Sequence, residues 1–312
     1  MNDLDNRLFV INKKAGPTSF DIVEAFRRAS RIRRVGHTGT LDPLAEGVLL
    51  LCSGKATRAV EHFMNLNKWY EFEVRLGVGT STLDAEGEVT AEVPCPPLRD
   101  EEILATAEGF LGDCLLDPPA FSALKRNGKR LYELARAGET PHVEGRTVTI
   151  HVFEVTRIEL PKVHFRLECS RGTYVRSLAR DFGMKFGLPA HIRNLVRTAI
   201  GPFRIEDGYD GDRVTAGDVS EIEGIELSKA LDFLPGIVVN DRAKRGLLNG
   251  ALPGHGDVVK ALGTPEDGVA LRILDEKGEL VAVGKRLSGV DRNRLTWVDS
   301  YRLFIDDKGA RS

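Results

Sequence analysis

Residues 36–47 read Gly-His-Thr-Gly-Thr-Leu-Asp-Pro-Leu-Ala-Glu-Gly, and the rest of the chain is organised around this stretch. Its glycines and its proline exclude a helix interior, where glycine costs about 1 kcal/mol and proline about 3 kcal/mol. Apolar residues do not recur with a regular period before Val48, so the stretch is not a strand either. It predicts a shaped loop that leads into a buried strand, Val48–Cys52.

The loop restricts the direction of one carboxylate. Pro43 biases Asp42 towards an extended backbone, and Gly36 and Gly39 permit backbone angles that side chains forbid. One acid, one histidine and two threonines therefore crowd a rigid loop that directly follows an arginine cluster. A working site and a plain turn, whose Asp and Thr only satisfy local hydrogen bonds, explain the loop equally well.

Composition indicates an ordinary globular protein. The 312 residues are enough for two domains, and 42% are hydrophobic and 29% charged. No apolar run reaches the length of a membrane span, and Met1–Asp5 lacks the pattern of a secretory signal, so we expect a cytoplasmic protein. The four cysteines are far apart and the histidines are scattered, which favours reduced thiols and no metal site.

Any binding to nucleic acid must depend on local basic patches, because the net charge is only −2. One patch follows a predicted helix that begins near Thr18, and it includes Arg31 and Arg33. A solvated face would explain these charges, but arginine suits bidentate phosphate contacts, which we favour slightly. A second patch consists of Lys125, Arg126, Lys129 and Arg130.

Other segments predict strands and one further helix. Lys68–Gly77 alternates as a strand, with Tyr70 on the face opposite Trp69. A tight turn precedes a helix that begins near Tyr174. Arg176 lies in its first turn, where a cation opposes the helix dipole, so we expect an acidic partner. Asp84, in a polar turn, could form the turn or support a site residue from behind, and we favour the turn former.

The chain changes texture after residue 207. Residues 208–235 are rich in Gly and Asp and resemble a linker, whereas 236–312 contain short predicted strands that suit a small β-barrel. We therefore predict three parts, 1–207, 208–235 and 236–312. The expected fold class is α+β, with a mixed, mainly antiparallel sheet core flanked by helices.

The loop motif, Gly-His-Thr-Gly-Thr-Leu-Asp-Pro-Leu-Ala-x-Gly-Val-Leu, resembles the signature of the TruB family of tRNA pseudouridine synthases. Further matches are Lys-x-Tyr at 68–70, Pro-Pro-x-Phe-Ser-Ala-x-Lys at 118–125, Gly-Lys-Arg-Leu-Tyr-Glu-Leu-Ala-Arg at 128–136 and Cys-Ser-x-Gly-Thr-Tyr-Val-Arg at 169–176. Asp117 stands where the family commonly has Gln, and Asn127 where it often has Gly. The resemblance covers most of 8–205 and, more loosely, a C-terminal PUA-like domain.

The resemblance implies a function and roles for individual residues. Family members isomerise uridine at position 55, in the T-loop of tRNA, without a cofactor or metal. By that resemblance Asp42 is the catalytic carboxylate, Tyr70 stacks on the target base, and Arg176 pairs with Asp42. Tyr174 packs beneath the site, and His37 faces the RNA. The expected partner is the T-arm of tRNA, with no obligate protein partner and no membrane.

The reaction breaks a C–N glycosidic bond and forms a C–C bond at the same sugar carbon. The base must first be flipped out of its stack, at a cost of a few kcal/mol. Attack at C6, attack at C1′ and a glycal route all remain open, and Tyr70 or a water could remove the C5 proton. Alternative functions are a non-catalytic RNA-binding module, a synthase guided by RNA and partner proteins, and a glycosidase-like hydrolase.

Overall fold

The computed structural model describes residues 4–121, 144–263, 266–286 and 297–305, and residues 125–126 and 129–130 by their backbone alone. The strands are β1 Arg7–Lys13, β2 Val35–His37, β3 Glu46–Ser53, β4 Lys68–Leu76, β5 Val78–Thr80, β6 Val89–Glu92, β7 Gly112–Leu116, β8 Lys125–Arg126, β9 Lys129–Arg130, β10 Arg146–Glu159, β11 Lys162–Cys169, β12 Ala190–Ile200, β13 Phe203–Arg204, β14 Tyr209–Asp210, β15 Ile225–Glu226, β16 Gly236–Val239, β17 Val258–Leu262, β18 Ala270–Asp275, β19 Leu280–Arg286 and β20 Val298–Leu303. The helices are α1 Ser19–Ser30, α2 Val60–Met64, α3 Asp100–Glu108, α4 Val175–Met184, α5 Gly211–Thr215, α6 Leu227–Ala230 and α7 Asp241–Leu248.

The larger of the sheets has 11 strands, and its main path runs in the order β14-β1-β3-β12-β4-β11-β10-β7. The β1–β14 and β3–β12 pairs are parallel, and the other pairs along this order are antiparallel. Helices α1, α3 and α4 pack their buried residues into the main core on this sheet. The predicted mixed, mainly antiparallel sheet flanked by helices is therefore confirmed.

Strand β3 lies in the middle of this sheet and is buried on both faces. Leu49 and Leu51 belong to the main core, whereas Val48, Leu50 and Cys52 pack in a second cluster on the opposite face. Burial on both sides explains why the sequence is continuously apolar here rather than alternating. The buried strand expected after the 36–47 loop is confirmed.

Helix α1 begins at a capping box, in which Thr18 Oγ1 accepts from the Asp21 backbone N–H and Asp21 accepts from the Thr18 N–H. It ends at Arg31, whose backbone is left-handed with φ 58°. The arginines of its last turn and of the segment after it are of two kinds. Arg27 donates to the Val35 carbonyl and is structural, whereas Arg31 and Arg33 are exposed.

The segment predicted as linker-like adds to the large sheet. Its residues form β14 and β15, which pair with β1, and helix α5, which packs against α1. Beyond it, five strands form a second sheet in the order β17-β16-β18-β19-β20. In the described residues the two end strands, β17 and β20, are not paired with each other, so the sheet is open rather than a closed barrel. Arg58 and Arg302 tie this sheet to the first, because Arg58 donates to the Leu303 carbonyl and Arg302 to the Arg58 carbonyl.

Within the described part of the chain, no helix combines the length and apolar character needed to cross a bilayer. The same residues contain no group of three or more His, Cys, Asp or Glu side chains placed to hold a metal ion. All four cysteines are free thiols.

Candidate active site

A cavity of about 310 Å³ lies where four distant parts of the chain meet. Its wall is formed by the loop 38–42, the start of β4, the turn before α4 and the middle of β12. Four side chains singled out from the sequence line it: Asp42, Tyr70, Tyr174 and Arg176. The sheet brings them together because β12 pairs with both β3 and β4.

Arg176 is the most constrained side chain of this cavity. It is buried, and its Nε lies 2.9 Å from Asp42 Oδ2, while Nη1 lies 3.3 Å from Asp84 Oδ2. Nη1 also donates to the Thr82 carbonyl at 2.8 Å, and Nη2 donates to the Phe121 carbonyl at 2.9 Å. The acidic partner expected for Arg176 is present. The guanidinium contacts Asp42 through Nε and Asp84 through Nη1, so it is shared between two carboxylates.

The two carboxylates differ in exposure. The Asp42 side chain is 34% exposed and faces the cavity, whereas that of Asp84 is 6% exposed. Asp84 also accepts from the Thr82 hydroxyl and from the Glu86 backbone N–H, so it does form the predicted turn. Its ion pair with Arg176 is a second role that the turn motif alone did not indicate.

The loop that carries Asp42 is held by side chains from neighbouring elements. Ser19 Oγ accepts from the Leu41 N–H at 2.8 Å and donates to the Leu41 carbonyl at 3.1 Å. Lys13 Nζ donates to the carbonyls of Pro43, at 3.1 Å, and Ala45, at 2.7 Å. Burial lowers the pKa of Lys13 to about 8, although the negative charges of Glu46 and Asp42 act to raise it.

Two aromatic residues, Tyr70 and Tyr174, also line the cavity. Tyr70 is buried on the same face of β4 as Phe72, as the alternation predicted. Burial raises the pKa of the Tyr70 phenol above its ordinary value, and the charge of Arg197 opposes this rise. Tyr174 occupies the N-cap position of α4 at the cavity wall.

His37, Arg31 and Arg33 are not among the residues that line the cavity. His37 is half-buried in β2, and its Nδ1 accepts from the Gly39 N–H at 3.3 Å. Burial lowers the pKa of His37, and the charge of Arg197 acts in the same direction. Arg31 and Arg33 are exposed after α1. The side chains of Lys125, Lys129 and Arg130 lie outside the described residues.

Sequence reasoning missed three buried cations beside the site. Lys13, Lys68 and Arg197 are 0%, 7% and 2% exposed. Lys68 donates to the carbonyls of Met64 and Leu66, and burial lowers its pKa to about 8. Lys13 ends β1, Lys68 begins β4 and Arg197 lies within β12, and a charge in or beside an apolar strand was the signal that could have revealed them.

Comparison with known proteins agrees with this architecture. A chain from a crystal structure of a Cbf5-Nop10-Gar1 complex superposes with a TM-score of 0.75 at 25% identity, covering 97% of this chain and 86% of that one. A chain from an H/ACA RNP bound to a substrate RNA containing 2′-deoxyuridine gives a TM-score of 0.73 at 24% identity, which supports the fold. The fold is therefore that of pseudouridine synthases related to Cbf5.

Sequence comparison identifies the family. Residues 27–175 match the family described as TruB family pseudouridylate synthase (N terminal domain). The tRNA pseudouridine synthase B of Clostridium tetani is 40% identical over 245 residues, 78% of this chain and 84% of the relative. That of Bacillus licheniformis is 40% identical over 294 residues, 89% of this chain and 92% of the relative. The chain belongs to the TruB family of pseudouridylate synthases.

The shared guanidinium predicts a strong coupling between Arg176 and Asp84. Arg176→Met leaves a buried carboxylate unpaired, and we expect the free energy of unfolding to fall by about 3–5 kcal/mol. Adding Asp84→Asn should restore about half of that loss or more, because a neutral amide costs less to bury than a charge. Urea unfolding at neutral pH measures Arg176→Met, Asp84→Asn and the double variant.

The matched control is Arg213→Met, which breaks the more exposed Arg213–Asp218 pair. We expect it to lower the free energy of unfolding far less than Arg176→Met does, because ion pairs in contact with solvent contribute little. Additive effects of the Arg176 and Asp84 substitutions would contradict the coupling.

Proposed function

We propose that this protein isomerises uridine to pseudouridine at position 55, in the T-loop of tRNA, with Asp42 as the reacting carboxylate. The observation that carries the proposal is the position of Asp42 in the cavity and its contact with Arg176. Asp42 is the one carboxylate among the described residues that line the cavity, and Arg176 fixes it from behind. Membership of the TruB family supports the reaction and the tRNA substrate.

A single carboxylate favours isomerisation over hydrolysis. Glycoside hydrolases ordinarily use two carboxyl groups, one as an acid and one as a nucleophile or base. Asp84 cannot supply the second, because it is buried behind Arg176. In the isomerisation, the uracil that leaves is not released but is joined again to the same sugar carbon. A lone carboxylate that attacks or stabilises the intermediate suits such a reaction.

The walls of the cavity suit a flipped base. An extruded nucleotide is commonly held between aromatic and apolar side chains. Tyr70 and Leu195 line the cavity and supply such surfaces for the uracil while it turns. In this proposal Tyr174 supports the floor, and His37, beside the loop, faces the RNA from which the base has been drawn.

The RNA approaches over exposed basic residues. Arg31 and Arg33 are exposed, and Arg146 and Arg171 line the mouth of the cavity. We assign phosphate contacts to these residues and to Lys125, Lys129 and Arg130. With them the chain binds the tRNA T-arm without an obligate protein partner, in the cytoplasm.

We further propose that the chain divides as 1–207, 208–235 and 236–312, the last part being a PUA-like RNA-binding domain. Its second sheet supports this assignment, because the sheet has its own apolar core of buried residues such as Ile237, Leu271 and Val281. The domain would extend the basic surface along the T-arm.

Mapping the product tests the proposal. Purified protein is incubated with unmodified tRNA, and pseudouridine is located by carbodiimide-dependent stops of reverse transcription. We expect one stop, at position 55. A stop elsewhere would refute the assigned position, and no stop at all would favour a non-catalytic RNA-binding module.

Asp42→Asn tests the carboxylate. The amide keeps the shape and removes the negative charge, so we expect no detectable pseudouridine. Affinity for tRNA should stay within about tenfold of wild type, a change of about 1.4 kcal/mol. Filter binding and the mapping assay measure the two quantities, and substantial turnover by the variant would remove Asp42 from the mechanism.

The salt dependence of binding tests the basic patch. If Arg31 and Arg33 contact phosphates, Arg31→Gln and Arg33→Gln should each lower the slope of log affinity against log salt by about one unit. Lys129→Gln should do the same. The control is Arg99→Gln, on exposed α3, where the arginine pairs with Glu102. Slopes equal to the control in all three variants would assign these charges to a solvated face.

A further inference from the structure

Arg197 is among the largest fully buried side chains of the protein, with 2% of its surface exposed. Its three nitrogens donate to backbone carbonyls of the loop and of the strand that follows it. Nε donates to Val48 at 2.7 Å, Nη1 to Thr40 at 3.3 Å, and Nη2 to Gly39 at 3.1 Å. The guanidinium therefore holds both ends of the segment that contains Asp42.

The sheet register puts Arg197 under this loop. Gly47, at the start of β3, is paired with Lys13 of β1 on one side and with Arg197 of β12 on the other. A Cβ at Gly47 would lie 2.2 Å from the Arg197 carbonyl oxygen, and the φ of Gly47 is +103°. Only glycine lets the strands approach this closely, and the approach brings Arg197 within reach of the loop.

The two cations hold the loop on either side of Asp42. Arg197 binds the carbonyls of Gly39 and Thr40, which precede it, and Lys13 binds those of Pro43 and Ala45, which follow it. The position of the carboxylate is thus set by donors on two different strands. A small shift of a reacting group can cost about a hundredfold in rate.

Burying a guanidinium carries a desolvation penalty. A stable fold does not by itself require a charged side chain at this position. An apolar side chain would avoid that penalty, but it would leave the loop carbonyls without donors. Hydrogen bonds from a charged donor are also stronger and more directional than neutral ones. Arg197 is therefore suited to fixing the geometry of the loop rather than to adding stability.

We propose that Arg197 is a positioning residue, which fixes the backbone before Asp42 so that the carboxylate faces the cavity. Arg197 also lines the cavity, but each of its nitrogens donates to a backbone carbonyl, so in this proposal it acts through the loop rather than on the substrate. The consequence for rate rests on the proposed function, whereas the consequence for the loop does not.

Hydrogen–deuterium exchange of the free protein tests the loop directly. In Arg197→Met and Arg197→Lys, amides of residues 38–47 should exchange faster by about tenfold or more, because local opening becomes easier. The matched control is Arg272→Met. Arg272 is also buried and donates to the carbonyls of Leu234 and Ser228, but it lies in β18 of the second sheet. It should leave residues 38–47 unchanged.

Single-turnover rates with saturating enzyme test the consequence, because binding then no longer limits the rate. We expect Arg197→Met to lose about a hundredfold in rate, and Arg197→Lys to lose less because one donor group remains. Affinity for tRNA should stay within about threefold of wild type for both, and Arg272→Met should match wild type in rate.

Unchanged exchange in residues 38–47, or a wild-type rate for Arg197→Met, would overturn the proposal. So would an equal loss of rate in Arg272→Met, which would indicate general destabilisation. An inactive wild-type protein would instead refute the proposed function, and the exchange result would still decide whether Arg197 holds the loop.

Discussion

The shared guanidinium of Arg176 is the interaction on which the site depends. It joins the loop of Asp42, the turn of Thr82 and Asp84, and the carbonyl of Phe121, which are far apart in the chain. Burying these charges costs several kcal/mol of desolvation, which Coulomb attraction and hydrogen bonds offset only when the geometry is good. The arrangement therefore specifies one geometry more than it adds stability. Asp84 anchors the arginine, and Asp42 is left facing the cavity.

The same principle extends to the floor of the site. Lys13, Lys68 and Arg197 are buried, and each donates to backbone carbonyls. The loop around Asp42 has no regular secondary structure of its own, so its carbonyls need donors from elsewhere. Two buried cations on strands, Lys13 and Arg197, supply them, and so they attach the irregular loop to the sheet beneath it. A site fixed in this way needs little rearrangement before it acts.

Local pattern determined what could be predicted from the sequence. The apolar run of β3, the cap of α1 and the alternation of β4 each lie within a few residues, and all were confirmed. The segment after β3 forms a 3-10 helix over Gly54–Ala59 followed by α2. Apolar spacing did not distinguish the two forms. The partners of Asp84 and Arg197 depend on strand register across the sheet, which no local pattern encodes.

The central claim is that the planar fork of Arg176 positions Asp42, rather than its charge alone. Arg176→Lys keeps the charge and removes the fork, because an ammonium group cannot span two carboxylates and two carbonyls. Single-turnover formation of pseudouridine, with enzyme in excess over tRNA, separates these effects from binding. We predict that Arg176→Lys binds tRNA as wild type does and loses most of its rate. A rate close to that of wild type would contradict the claim.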